Sequence, residues 1–130
     1  GFGNVLRESG ISQQLVTTAS AAHLSPLLLG WFVAALIRLA TGSATVARTT
    51  ACGIVAPIAQ AAGASVSPEL LVLATGSGSL IFSHVNDGGF WLIKEYFGMT
   101  VGQTFKTWSL CETIISVMGL GLTFALATVV

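Results

Sequence analysis

Apolar positions in this chain gather into long uninterrupted runs, with few polar residues inside them, instead of falling on one narrow stripe of helical period. A helix that crosses a hydrocarbon core about 30 Å thick needs about 20 mainly apolar residues. Four segments approach that length. The first covers residues 24–40, opens on Ser25 and Pro26 in N-cap and first-turn order, and holds one charge, Arg38. The second covers 45–62, with Arg48 near its start, Pro57 inside it as an expected kink, and Gly63 at its end. The third opens on Ser67, Pro68 and Glu69 and runs to Val85, but its interior GSGS at 76–79 weakens helical preference enough to predict a break. The fourth, 108–130, is long enough to span alone and carries Glu112 near its beginning. Residues 86–107 mix Phe90, Trp91, Tyr96 and Phe97 with Lys94 and Lys106, an interfacial composition, and 11–23 read as a modest, more polar helix.

Composition strengthens the membrane reading. Hydrophobic residues make up 53% of the chain and charged residues 8%, against roughly 25% charged in a soluble domain. Fifteen glycines among many Ala, Ser and Thr suit helices packed closely in lipid. Zero formal net charge and the lack of a basic block argue against a nucleic-acid partner. Cys52 and Cys111 sit in apolar runs without metal-ligand spacing, so no metal site is expected. The opening GFGNVLRESG is neither a signal peptide nor a natural start, and the expectation is a truncated chain. If each segment crosses once, Arg38, Arg48, Lys94 and Lys106 share one side, which the positive-inside tendency assigns to the cytoplasm.

Two constellations carry candidate chemistry. In ALIRLATGSATVAR a helix breaks at Thr41, Gly42, Ser43 and Thr45 between Arg38 and Arg48. Broken helices free backbone groups and dipole ends for solutes at membrane depth, and a helix starting near Ser43 would favour an anion. The alternative is a plain cytoplasmic turn with both arginines snorkelling to headgroups. In GSGSLIFSHVNDGGFW a glycine-broken helix leads to His84, Asn86 and Asp87. His84 and Asp87, three apart, make a reasonable proton-relay pair, and Asn86 can bind a polyol hydroxyl; the alternative is an interfacial helix end followed by an ordinary turn. Glu112 is a further carboxylate, placed where it can reach water.

GSATVA at 42–47, SPEL at 67–70, GSGS at 76–79, SHVNDGGFWLIKEYFGM at 83–99 and WSLCETIISVMGL at 108–120 resemble, in order, the C-terminal region of the gluconate permease family. The resemblance covers nearly the whole chain. It implies an all-α polytopic transmembrane protein with broken helices and part of a re-entrant hairpin, a C-terminal fragment of an inverted-repeat ion-coupled transporter in which residues 1–130 belong to one transporter domain. It further implies proton-coupled secondary uptake of gluconate or a related sugar acid across a bacterial inner membrane, with no cofactor and no enzymatic reaction. Residues 1–4 then resemble the end of a hairpin tip and 11–23 its returning arm. The resemblance implies that 41–45, with Thr41, Gly42, Ser43 and Thr45, is the unwound stretch facing the substrate; on chemistry Ser77, Ser79 and Asn86 join the substrate-binding candidates, Arg38 is the candidate that attracts the anion, and His84 and Asp87 are the candidates for the proton, to which the resemblance assigns no role. Other sugar acids and D-serine occur as substrates in the family, and the oligomeric state stays open, a homo-oligomer included.

Two other classes compete. Ser77 or Ser79 with His84 supplies the residue types of an intramembrane hydrolase, but hydrolysis needs a base within roughly 2.6–3.2 Å of the nucleophile and an oxyanion site. A passive channel or a structural membrane protein also tolerates broken helices, and accumulation against a gradient separates a transporter from both.

Overall fold

The computed structural model describes residues 10, 14, 25–61, 63 and 66–130. The expected hairpin tip at 1–4 and, apart from Gln14, the expected helix at 11–23 lie outside the described residues. All regular structure among the described residues is helical.

Helix α1, Pro26–Thr41, starts where Ser25 Oγ accepts from the Leu27 N–H with Pro26 at the first position, and ends on Gly42 in the left-handed conformation at φ 72°. Helix α2, Ala44–Ala61, turns back after two residues and runs through Pro57. Helix α3, Pro68–Gly78, uses Ser67 Oγ on the Leu70 N–H as its cap and stops inside GSGS, where the sequence pattern places a break. At 11 residues it is about 16 Å long, half a membrane crossing. An irregular connector follows, and helix α4, Gly88–Tyr96, begins where the Asp87 carboxylate accepts from the Gly89 N–H at 2.9 Å. Helix α5, Val101–Val129, has 29 residues, starting nearer the N-terminus than the pattern predicts because Thr100 and Gln103 form a reciprocal capping box. It contains a π-helical turn at Phe105–Ser109. Such turns are frequent at functional sites.

The core is a three-helix packing of α1, α2 and α3 around Leu29, Val33, Ala34, Ala51, Ile54, Val55, Ile58 and Leu71. Close approach of α3 to α1 needs glycine at position 78, where a Cβ would stand 2.3 Å from the Trp31 carbonyl oxygen. Leu27 packs on Leu70 and Ala74, so α1 and α3 run side by side in the same direction, and α1 continues beyond the end of α3. Trp31 Nε1 donates to Ser116 Oγ at 3.1 Å, Gly119 lies against Ser77, and Ala127 lies near the Leu27 cluster, which makes α5 antiparallel to both. Helix α5 is long and apolar enough to cross a membrane, and only 11% of its most apolar window is buried within the chain. Leu110, Ile114, Ile115, Val117, Met118 and Leu122 are all exposed, a surface suited to lipid or further helices.

Candidate functional site

The end of α3 and the extra length of α1 leave a step in the packing, and the connector 79–87 fills it. Phe82 takes φ 38°, rare for a side chain with a Cβ, and its ring stacks between His84 and Phe105. Ser83 is fully buried; its hydroxyl donates to Asp87 Oδ2 and accepts from Trp108 Nε1 at 3.1 Å, while its carbonyl accepts from Ser109 Oγ. Asn86 Nδ2 donates to the Leu39 carbonyl at 2.9 Å, across the gap to the end of α1. The same junction explains Gly42: besides its positive φ, a Cβ there would sit 2.2 Å from the Asn86 carbonyl oxygen.

These contacts hold three charges together. Arg38 is 3% exposed. Its Nη1 donates to the Gly42 carbonyl at 2.6 Å, and its Nη2 donates to Asp87 Oδ2 at 2.6 Å and to Glu112 Oε2 at 3.2 Å. Its Nε is buried and has no partner among the described residues. Two carboxylates against one guanidinium leave a formal charge of −1 when both are ionised. Burial pushes the Asp87 carboxyl up, but donors from Ser83, Gly89 and Arg38 outweigh it and hold the group below its ordinary range.

A cavity of about 470 Å³ opens beside this cluster, lined by Arg38, Thr41, Gly42, Ser43, Asn86 and Asp87, with Ala44, Gly88, Gly89, Trp108 and Glu112 completing it. Two helices begin at its wall. Ser43 Oγ accepts from the Val46 N–H at 3.3 Å at the start of α2, and Gly88 and Gly89 start α4. The positive ends of both helix dipoles therefore bear on the space, and these, with Arg38, favour an anion. Thr41, Ser43 and Asn86 add groups able to bind hydroxyls.

Of the sequence candidates, Arg38, Thr41, Gly42, Ser43, Asn86 and Asp87 thus come together. Thr45 is exposed on α2 outside the lining. Ser77 and Ser79 donate to their own helix, to Ala74 at 2.9 Å and Gly76 at 2.6 Å, and do not line the cavity. His84 approaches the Phe82 carbonyl at 3.2 Å and stacks on its ring, also outside the lining. Arg38 points into protein rather than to a headgroup region. Among the described residues, no three His, Cys, Asp or Glu side chains gather as a metal site would require. Ser83 and Trp108 enter the site without having been singled out for it from sequence, and Glu112, marked there as a further carboxylate, joins it; a charged residue in an apolar span, which needs a partner, is the signal that joins Glu112 to Arg38.

The whole chain, residues 1–130, matches the family described as GntP family permease. The chain belongs to that family. Among curated relatives of this GntP permease chain, a gluconate permease of Pseudomonas aeruginosa is 58% identical over 120 residues, 92% of this chain and 26% of the relative. A high-affinity gluconate transporter of Escherichia coli K12 is 56% identical over 119 residues, 92% and 27% of the two chains. The Gnt-II system L-idonate transporter of the same organism is 54% identical over 119 residues, again 92% and 27%. This GntP permease chain therefore spans about a quarter of the length of those relatives. Its relatives are named as permeases and transporters, not enzymes, and the family together with the apolar helix α5 identifies a membrane protein. No solved structure matches the chain.

Proposed function

We propose that the protein to which this chain belongs is a secondary active transporter that takes up gluconate or a related small sugar acid with a proton across the bacterial inner membrane. The observation that carries this is the cavity at the α1–α2 break, where two helix N-termini, a buried arginine and polar side chains from Thr41, Ser43 and Asn86 converge. A sugar acid presents one carboxylate and several hydroxyls, and the wall offers a match for each. The names of the relatives, gluconate permease and L-idonate transporter, support the substrate class and leave the individual sugar acid to competition experiments.

In this reading the chain is part of a polytopic transporter domain with inverted repeats and re-entrant hairpins. Helix α3, too short to cross and followed by an irregular connector, is one broken element, and the α1–α2 junction is another. Transport proceeds by alternating access: the anion and proton bind beside the breaks, and the elements carrying them move against the rest to expose the site on the other face. His84 and Asp87 are the sequence candidates for the proton; Asp87 stands in the cavity wall and His84 outside it.

The test is uptake of labelled gluconate by proteoliposomes holding the full-length protein, with and without an inward proton gradient. Gradient-driven accumulation, lowered by Ser43→Ala and by competing sugar acids, is the expected result. Equilibration that stops at the external concentration would mean a channel, and no flux of any sugar acid would remove the function.

A further inference from the structure

We propose that Glu112 takes the coupling proton and that its protonation makes the Arg38 cavity receptive to the anion. This rests on the transport reading above and names the residue that links the two solutes.

The two carboxylates on Arg38 are not equivalent. Asp87 accepts from three donors, the Ser83 hydroxyl, the Gly89 N–H at 2.9 Å and Arg38 Nη2 at 2.6 Å, and all three favour its ionised form. It also caps α4, a position where negative charge is favoured by the helix dipole. Among the described residues Glu112 accepts from Arg38 alone, at the longer distance of 3.2 Å. Its side chain is 13% exposed and borders the cavity, so a proton can reach it. A proton entering the cluster therefore settles on Glu112, and Asp87 remains the fixed counter-ion of Arg38.

Among the described residues the charged groups around Glu112 are few. Arg38 faces it from α1 and Asp87 from the connector. Helix α3, packed along α5, brings Glu69 only at its far end; α4 brings Lys94 and Glu95, which pair with each other at 2.7 Å. His84 stands outside the cavity, and Lys106 and Cys111 on α5 itself are exposed and do not line it.

Protonation has two consequences for an anion. The formal charge of the cluster rises from −1 to 0, so that no net negative charge opposes the helix N-terminus of α2, while Asp87 stays on that of α4. Arg38 Nη2 is also relieved of one carboxylate, and the guanidinium, whose Nε has no partner among the described residues, gains capacity to bind another. Proton and anion then bind with positive coupling, each raising the affinity of the other by the same factor. No bond is made or broken beyond the transfer of a proton from water to a Glu112 oxygen and its return on the opposite side.

The experiment uses the full-length protein in proteoliposomes with labelled gluconate, in two assays. One reads accumulation driven by an inward proton gradient, and the other reads exchange of gluconate across the membrane with no gradient. Glu112→Gln, which imitates the protonated side chain, should lose accumulation and keep exchange. In detergent, gluconate binding to the wild type should tighten as pH falls, within the roughly 5–150-fold range usual for coupled sites, and Glu112→Gln should bind with a constant affinity. Glu112→Asp, which keeps the titrating group, should retain the pH dependence with a displaced midpoint and guards against a variant that merely misfolds. Wild-type accumulation in Glu112→Gln, or unchanged pH dependence of binding, overturns the proposal while leaving the transport reading intact. A wild-type protein that neither exchanges nor accumulates sugar acid sinks both.

Discussion

Removing Arg38 should damage the protein more than removing Asp87, and removing both should be less harmful than the sum. The asymmetry follows from what each loss leaves behind. Arg38→Gln leaves Asp87 and Glu112 beside each other with no cation between them, in side-chain environments only 14% and 13% exposed. Loss of one member of a buried ion pair costs about 3–5 kcal/mol, because the remaining charge is uncompensated. Asp87→Asn leaves Arg38 with Glu112 at 3.2 Å and the Gly42 carbonyl at 2.6 Å, so the loss is closer to that of one charge-assisted hydrogen bond, about 1.5–3 kcal/mol. In the double variant a single carboxylate remains, and the repulsion between the two disappears. Its destabilisation should fall short of the sum of the singles by about 0.5–3 kcal/mol, the range found for contacting residues. The assay is the midpoint of denaturant unfolding of the full-length protein in detergent, followed by tryptophan fluorescence. Strict additivity, or Asp87→Asn as damaging as Arg38→Gln, would refute the shared cluster.

Two neighbouring glycines should respond in opposite ways to alanine. A Cβ on Gly76 meets nothing within 4 Å, so Gly76→Ala should be neutral or stabilising by up to about 1 kcal/mol, whereas Gly78→Ala drives a methyl into the Trp31 backbone and should cost about 1–3 kcal/mol, both read as unfolding midpoints. Gly42→Ala combines a left-handed φ of 72° with a Cβ 2.2 Å from the Asn86 carbonyl, and should cost more than the roughly 1–2 kcal/mol of the backbone conformation alone, with loss of gluconate uptake in the same preparation. Because the Asp87 carboxyl is held below its ordinary range in the folded protein, its contribution is present above that range and disappears as pH falls through the lowered value. Acid titration of the unfolding midpoint should therefore be flatter in Asp87→Asn than in the wild type, and equal slopes would remove Asp87 from the linkage.

Helix positions were legible from sequence wherever a local signal sets them. Ser25 with Pro26 and Ser67 with Pro68 each place a helix start by capping chemistry that needs no tertiary partner, and both starts occur where that chemistry puts them. The break within 76–79 was legible for the same reason, since two glycines and two serines weaken a helix locally. The start of α5 was not, because the capping box of Thr100 and Gln103 lies in a stretch whose aromatic and basic residues suggested only an interface. Six of the candidate site residues meet in one cavity because they flank the helix break at 41–45 or the turn at 86–89, which are readable as interruptions. What sequence could not supply was the pairing across distance. Arg38 to Asp87 spans 49 positions and Arg38 to Glu112 spans 74, and no local periodicity relates them.

That long-range pairing bears on how such a protein can move. The Arg38 guanidinium ties the end of α1 to the α3–α4 connector through Asp87 and to α5 through Glu112, and Asn86 adds a bond from the connector to the Leu39 carbonyl. Any displacement of the broken elements against α5 must stretch or exchange these contacts, and separating buried charges without replacement is costly. In the transport cycle proposed above, a bound carboxylate replaces Glu112 on Arg38 and a proton neutralises the carboxylate that is released, so the two solutes together supply what the rearrangement removes. A solute lacking the carboxylate, such as the neutral polyol of the same carbon skeleton, leaves the guanidinium tied to Glu112 and gives the protein no reason to release it; it should neither be carried nor compete at concentrations that saturate with gluconate.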